Sequence, residues 1–247
     1  ETPYMTNRAI EFMEEAAEDA WCLHLSFIKP HWPYVAPAPY NDIYGANQIL
    51  SANRTASERD NPHPVVAAYM KHDESVTFQE DDTRNTVIPV YMGLIKQIDD
   101  ELGRLFEYMD NTGLSDNTMI VFTADHGDYL GDHWLGEKEL FHEASARIPM
   151  IIVDPSRAAD VTRGTSSQAL VEAIDLVPTF IEAAGGKVEG KRLEGRSLLP
   201  VLHSQTLPDS WREAVFSELD YSFRGARNTL EKEPNLALAW MVRTDRW

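Results

Sequence analysis

The chain has very little cysteine. Cys22 stands alone in 247 residues, so an internal disulfide and a thiolate zinc cluster are both excluded. Basic residues are scarce too: 22 Lys and Arg stand against 40 Asp and Glu, a formal net charge of −18. Nucleic-acid binding needs clustered cations that displace counterions, and no basic stripe occurs, which makes nucleic acid a poor candidate partner. A run of about 18 apolar residues, the length a bilayer-spanning helix needs, is also missing, so no membrane partner is expected. With no sign of an oxidising compartment the expected location is cytoplasmic. The chain opens at Glu1 without an initiator Met, however, and a targeting segment can be removed without trace.

What is present is ordinary for a globular protein with one substantial core: 43% apolar and 25% charged residues. A chain this acidic binds a small anion only where a metal ion or a few converging cations reverse the potential locally. The triplet Asn53-Arg54-Thr55 fits a glycosylation acceptor and is read as a chance match.

Good helix formers fill residues 7 to 20, with Thr6 or Asn7 placed to cap them. The apolar run WCLHLSFI (21 to 28) has strand length. Within it, Cys22 is read as a small core hydrophobe and His24 as a satisfied core residue. Pro30, Pro33, Pro37 and Pro39 then forbid regular structure and predict a rigid loop. Residues 41 to 85, rich in Asn, Asp, Ser and His, read as an insertion or lid. Tyr91, Leu94, Ile95, Ile98, Leu102, Leu105, Phe106 and Met109 recur at spacings of three and four, predicting a helix that ends near Gly113. Asp99 and Asp100 lie off that stripe, on a solvated face. TMIVFTAD (118 to 125) and PMIIVD (149 to 154) are continuous apolar strands, the kind buried on both faces of a parallel sheet. A further helix is expected over 175 to 185, and EAVFSEL and LAWMVRT read as strands. Alternating strands and helices indicate an open α/β sheet, with ligands beyond the carboxyl ends of its strands.

At that position stands Asp125-His126-Gly127-Asp128. An Asp and a His offer one hard oxygen and one borderline nitrogen, which favours Mn²⁺ or Zn²⁺ and admits Ca²⁺. Neighbours in a strand point to opposite faces, so the backbone must turn for both to reach one ion, and Gly127 is expected to supply the dihedral freedom. The residues that follow are denser in His, Trp, Gly, Lys and Glu than a bare connection requires. Two of them, His133 and His142, are expected to support the site or the fold rather than to bind metal.

The stretch FTADHGDYLGDHWLGEKELFHE resembles the segment of sulfatases and phosphonate monoester hydrolases that supplies distal metal ligands and a lysine. FIKPHWPYVAPAPY is similar to the Pro-His-x-Pro loop of the same family. The resemblance continues in order through the long helix and the strand after it, EAIDLVPTF and LEGRSLLPVL. It implies an alkaline-phosphatase-like α/β sandwich, a mostly parallel sheet between helices, with residues 1–247 as one incomplete domain lacking the family's N-terminal portion and C-terminal end. It further implies that Asp125 and His126 are metal ligands, and that Lys138 and His31 contact the anionic oxygens of a small ester substrate. Relatives of this kind often form homo-oligomers.

Family members carry two more acidic ligands and a Cys- or Ser-x-Pro-x-Arg segment whose first residue becomes a formylglycine nucleophile; neither is in this chain, and Cys22-Leu23-His24-Leu25 does not match. The expected function is therefore metal-dependent hydrolysis of sulfate or phosphonate and phosphate esters by a nucleophile outside the chain, with the fragment alone inactive. The alternative is a noncatalytic anion-binding or assembly member of the same fold.

Overall fold

The computed structural model describes residues 1–16, 19–190 and 192–246. It divides into two compact units, one formed by residues 1–116 and 129–137, the other by 117–128 and 138–247. Among the described residues no helix is long and apolar enough to cross a membrane.

The first unit contains α1 (Thr2–Ala16), the short helices α2 (Ala56–Asp60), α3 (Pro64–Tyr69) and α4 (Asp73–Phe78), and the long α5 (Asp81–Thr112). The apolar spacing that predicts α5 buries Leu94, Leu105 and Met109. Gly113 ends the helix in the left-handed conformation at φ 75°, its N–H donating to the Asp110 carbonyl, a geometry that costs glycine nothing. On α1, Ala9 and Met13 are buried, and Arg104 of α5 donates to Asn7 at 2.8 Å. The expected lid, residues 41 to 85, is built of short helices with buried Ala68, Tyr69 and Phe78.

The proline-rich segment is fixed to α5 at two points. At Gly93 the Tyr40 carbonyl passes so close that a Cβ would stand 1.9 Å from its oxygen. The Tyr40 hydroxyl donates to Asp100 at 2.9 Å. Asp100 is thus a tether as well as a surface charge, whereas Asp99 stays solvated beside Lys96.

Residues 21–28 depart from the strand expectation. They are extended, with Trp21, Leu23, Leu25 and Phe27 half-buried, but no ladder partner occurs among the described residues. The alternation that half-buries the odd positions turns Cys22 and His24 outward, so neither is the core residue the apolar run suggests.

The second unit contains β1 (Ile120–Thr123), α6 (Glu143–Ala146), β2 (Met150–Val153), α7 (Leu176–Ala183), α8 (Leu199–Leu202), β3 (Ala214–Asp220), α9 (Gly225–Thr229) and β4 (Leu238–Thr244). Helices interleaved with small sheets bear out the α/β class. The direction of the first pair does not follow expectation: β1 and β2 are antiparallel, Ile120 opposite Val153 and Phe122 opposite Ile151. Continuous apolarity tells of coverage, not of strand direction. Within this chain that coverage is also one-sided, because Phe122, Ile151 and Val153 are exposed.

A buried polar knot anchors α7. Asp175, fully buried, accepts the Glu172 amide at 2.8 Å, the Arg196 amide at 2.7 Å and both Arg212 amino groups at 2.5 Å. Thr179 donates to the Asp175 carbonyl and accepts the Leu198 amide. The segments DLVPTF and LEGRSLLPVL are therefore one hydrogen-bonded unit, in which every acceptor of a buried carboxylate is used. The hairpin β3–β4 pairs antiparallel from Ala214 opposite Thr244 to Asp220 opposite Leu238.

Candidate metal and anion site

Asp125 and His126 leave β1 together. The His126 amide donates to the Asp125 carboxylate at 3.0 Å. The imidazole Nδ1 lies 2.7 Å from the Gly127 carbonyl. A carbonyl only accepts, so Nδ1 carries the proton in the neutral ring and Nε2 keeps its lone pair. Nε2 lies 3.5 Å from Asp125 Oδ2. Two ligand atoms that share an ion at about 2.0–2.2 Å stand roughly 3.0–3.5 Å apart, so the pair fits a divalent cation in chemistry and in spacing. Among the described residues no group of three or more His, Cys, Asp or Glu side chains is placed to hold a metal. The pair is thus at most part of a cage.

Gly127 is needed for a different reason from the one its position after a strand suggests. Its φ is not in the left-handed region. Instead the backbone of α6 passes over it: a Cβ would lie 2.0 Å from the Ala144 carbonyl oxygen, and the Gly127 amide donates to the Ser145 carbonyl at 2.8 Å. Close backbone approach, not an unusual dihedral, selects glycine here.

Lys138 belongs to the same unit and is half-buried. Buried Ser145, whose carbonyl receives Gly127, donates its hydroxyl to the Lys138 carbonyl. One serine therefore ties the Asp125–Gly127 turn to the lysine segment. Glu139, the next residue, pairs with Arg224 at 2.6 Å. Glu143 at the start of α6 pairs with Arg243 of β4 and with Arg147. Burial pushes the Glu143 carboxyl up, but the two guanidiniums outweigh it and hold the group below its ordinary range. Ser145, Arg224 and Arg243 are not singled out in the sequence, because nothing local marks them as partners of this loop.

His31 lies in the first unit. Its Nδ1 is 2.8 Å from the Trp32 carbonyl, so by the same reasoning as for His126 its Nε2 is the ring acceptor when neutral. Lys29 braces the loop by donating to the Pro33 carbonyl at 2.6 Å and the His31 carbonyl at 3.3 Å. His133 is also in this unit and bonds Glu58 at 2.7 Å. His142 caps α6, its carbonyl receiving the Ser145 amide.

The family model described as sulfatase matches residues 2–186, and that of the N-sulphoglucosamine sulphohydrolase C-terminal region matches 131–246. A multifunctional alkaline phosphatase superfamily protein from Trinickia caryophylli is 34% identical over 238 residues, 90% of this chain and 45% of that protein. A choline-sulfatase from Rhizobium meliloti is 30% identical, over 82% of this chain and 40% of its own length. The chain therefore spans less than half the length of these relatives. The phosphonate monoester hydrolase structure from Silicibacter pomeroyi matches 99% of this chain and 50% of its own, at 30% identity and a TM-score of 0.88. That from Agrobacterium radiobacter matches 99% and 51%, at 27% identity and a TM-score of 0.84. With a family model covering most of its residues and a superposable fold, the chain belongs to the sulfatase family, within the alkaline phosphatase superfamily.

Proposed function

We propose that this chain contributes part of the active site of a metal-dependent hydrolase of phosphonate, phosphate or sulfate esters. The observation that carries the reading is the pair His126 Nε2 and Asp125 Oδ2, 3.5 Å apart, with the other imidazole nitrogen 2.7 Å from a carbonyl. Asp125 and His126 would hold the ion, with Mn²⁺ or Zn²⁺ favoured by the oxygen-nitrogen set and Ca²⁺ admissible. When bound, the metal supplies Lewis-acid polarisation of an ester oxygen.

The chain's own residues do the rest. Lys138 brings a point charge to the oxygens that gain negative charge as the ester is attacked. The resemblance gives His31, whose Nδ1 lies 2.8 Å from the Trp32 carbonyl, the role of donor to the leaving oxygen when protonated. The attacking nucleophile of the reading, a formylglycine, lies outside this chain.

The preference for phosphonate or phosphate esters over sulfate esters rests on the match to two phosphonate monoester hydrolase structures over nearly the whole chain. Sulfate and phosphate esters share tetrahedral geometry, so ligand type alone does not separate them. The deciding experiment is kcat/KM for the full-length gene product on an aryl phosphonate monoester and an aryl sulfate with the same leaving group. The expected result is turnover of both, higher for the phosphonate. Higher kcat/KM for the sulfate would reverse the assignment, and turnover of neither would remove the hydrolase reading.

A further inference from the structure

We propose that Gly127 is a positioning residue for His126, fixing the tautomer and direction of the imidazole through its own peptide groups; this rests on the reading of Asp125 and His126 as metal ligands. A neutral histidine offers an ion one ring nitrogen while the other carries the proton, so the group that accepts that proton chooses the ligand atom. Here the acceptor is the Gly127 carbonyl, 2.7 Å from Nδ1. A carbonyl in a turn holds a ring only as firmly as its own peptide is held. Gly127 is held from its other side, where its amide donates to the Ser145 carbonyl at 2.8 Å. The α6 backbone also closes over it: the Ala144 carbonyl carbon and Ser145 Cα would lie 3.0 and 3.3 Å from a Cβ at this position. Only a hydrogen fits there.

Two further observations point the same way. Ser145 is itself buried and braced, its amide donating to the His142 carbonyl at 2.9 Å and its hydroxyl to the Lys138 carbonyl. The support thus runs from Ser145 through Gly127 to the imidazole. The two members of the pair also differ in exposure, 88% for the Asp125 side chain against 31% for His126. The carboxylate accepts the amide of the very next residue, a contact within its own turn, whereas the imidazole is tied to α6 by way of Gly127. The ring is the fixed half of the pair, and the glycine fixes it.

The test uses the full-length gene product and reads metal binding rather than turnover. Mn²⁺ and Zn²⁺ affinities are measured by competition with a chromophoric chelator. The His126 tautomer is read by nuclear magnetic resonance of metal-free protein carrying ¹⁵N-labelled histidine, its signals assigned by their loss in His126→Gln. The parent is expected to show the Nδ1–H tautomer. Gly127→Ala, whose Cβ would displace the α6 backbone, is expected to bind either metal about 10- to 100-fold more weakly, the loss that follows when a ligand's outer hydrogen-bond partner is disturbed, and to show mixed tautomers. Gly136→Ala is the control for plain loss of stability, because there too a Cβ would strike passing backbone, 2.6 Å from the Glu74 carbonyl oxygen; its metal affinity should stay within a few-fold of the parent's. Gly127→Ala binding metal as tightly as Gly136→Ala would overturn the inference while the ligand reading stood. If Gly127→Ala folds too poorly to assay, the parent spectrum decides, since an Nε2–H or mixed tautomer there would equally overturn it. A parent that takes up no metal would remove the ligand reading and the inference with it.

Discussion

Residues 129–137 (YLGDHWLGE) and 138–146 (KELFHEASA) are successive halves of one stretch, each with a His and at least one Glu, and they are held in opposite ways. The first half is held through strain and is over-determined. Leu130, His133, Trp134 and Glu137 have φ of 46°, 53°, 63° and 61°, a region that costs a residue with a Cβ about 1–2 kcal/mol. Buried Arg84 holds it by donating to the Leu130 carbonyl at 2.9 Å and the Leu50 carbonyl at 3.1 Å. Trp134 donates to the Thr55 carbonyl at 2.7 Å, and the guanidiniums of Arg54 and Arg59 lie over its ring at 4.2 and 4.5 Å. The second half has no residue with positive φ among those described. It is held by a one-turn helix, a serine and ion pairs to distant arginines. A crowded loop sequence therefore marks two needs, fixing an unusual backbone and presenting a charge, and only the partners tell which half serves which.

The largest effects should separate the halves by activity. Lys138→Ala is expected to cost about 2.7–4 kcal/mol in the transition state, 10²–10³-fold in kcat, with metal content unchanged. Trp134→Leu should leave kcat per folded molecule within a few-fold, and equal losses in the two variants would erase the distinction.

Stability should separate them the other way. Arg84→Met removes both of these hydrogen bonds and releases the strained segment, and a loss of about 3 kcal/mol in urea denaturation is expected. A change below about 1 kcal/mol would mean that the strained backbone is held by something else.

The smallest effect sharpens the first half alone. The hydrogen bond from His133 holds the Glu58 carboxyl below its ordinary value of 4.5. A depressed folded pKa contributes stability that is fully present above 4.5 and is lost as pH falls through the lowered value. The melting temperatures of the parent and Glu58→Gln should thus differ at pH 7 and converge in acid. Solvent screening at this half-exposed pair keeps the difference to about 0.2–1 kcal/mol. A gap that widens in acid would contradict the assignment.

Local pattern carried a good part of the fold. The α5 stripe, its Gly113 stop, and the strands β1 to β4 are legible because periodicity and apolar runs are properties of neighbouring residues. The antiparallel direction of β1 and β2 is not, since apolarity is blind to direction. The outward turn of Cys22 and His24 was also hidden, because an extended segment without a ladder can still be apolar. At the site, the adjacency of Asp125 and His126 is written in the chain, and so is the lysine. The reason for Gly127 is not, because it depends on where the α6 backbone passes. Arg224 was invisible for the same cause: a guanidinium far along the sequence becomes part of the lysine loop only through folding.

The most direct test is metal content by mass spectrometry, after dialysis against Mn²⁺, Zn²⁺ and Ca²⁺ in turn, for the full-length gene product and its Asp125→Ala and His126→Ala variants. Stoichiometric metal in the parent, lost in both variants while their folds persist, is the expected result. Metal retained in both would reduce Asp125-His126 to a turn after a strand and contradict the hydrolase reading at its centre.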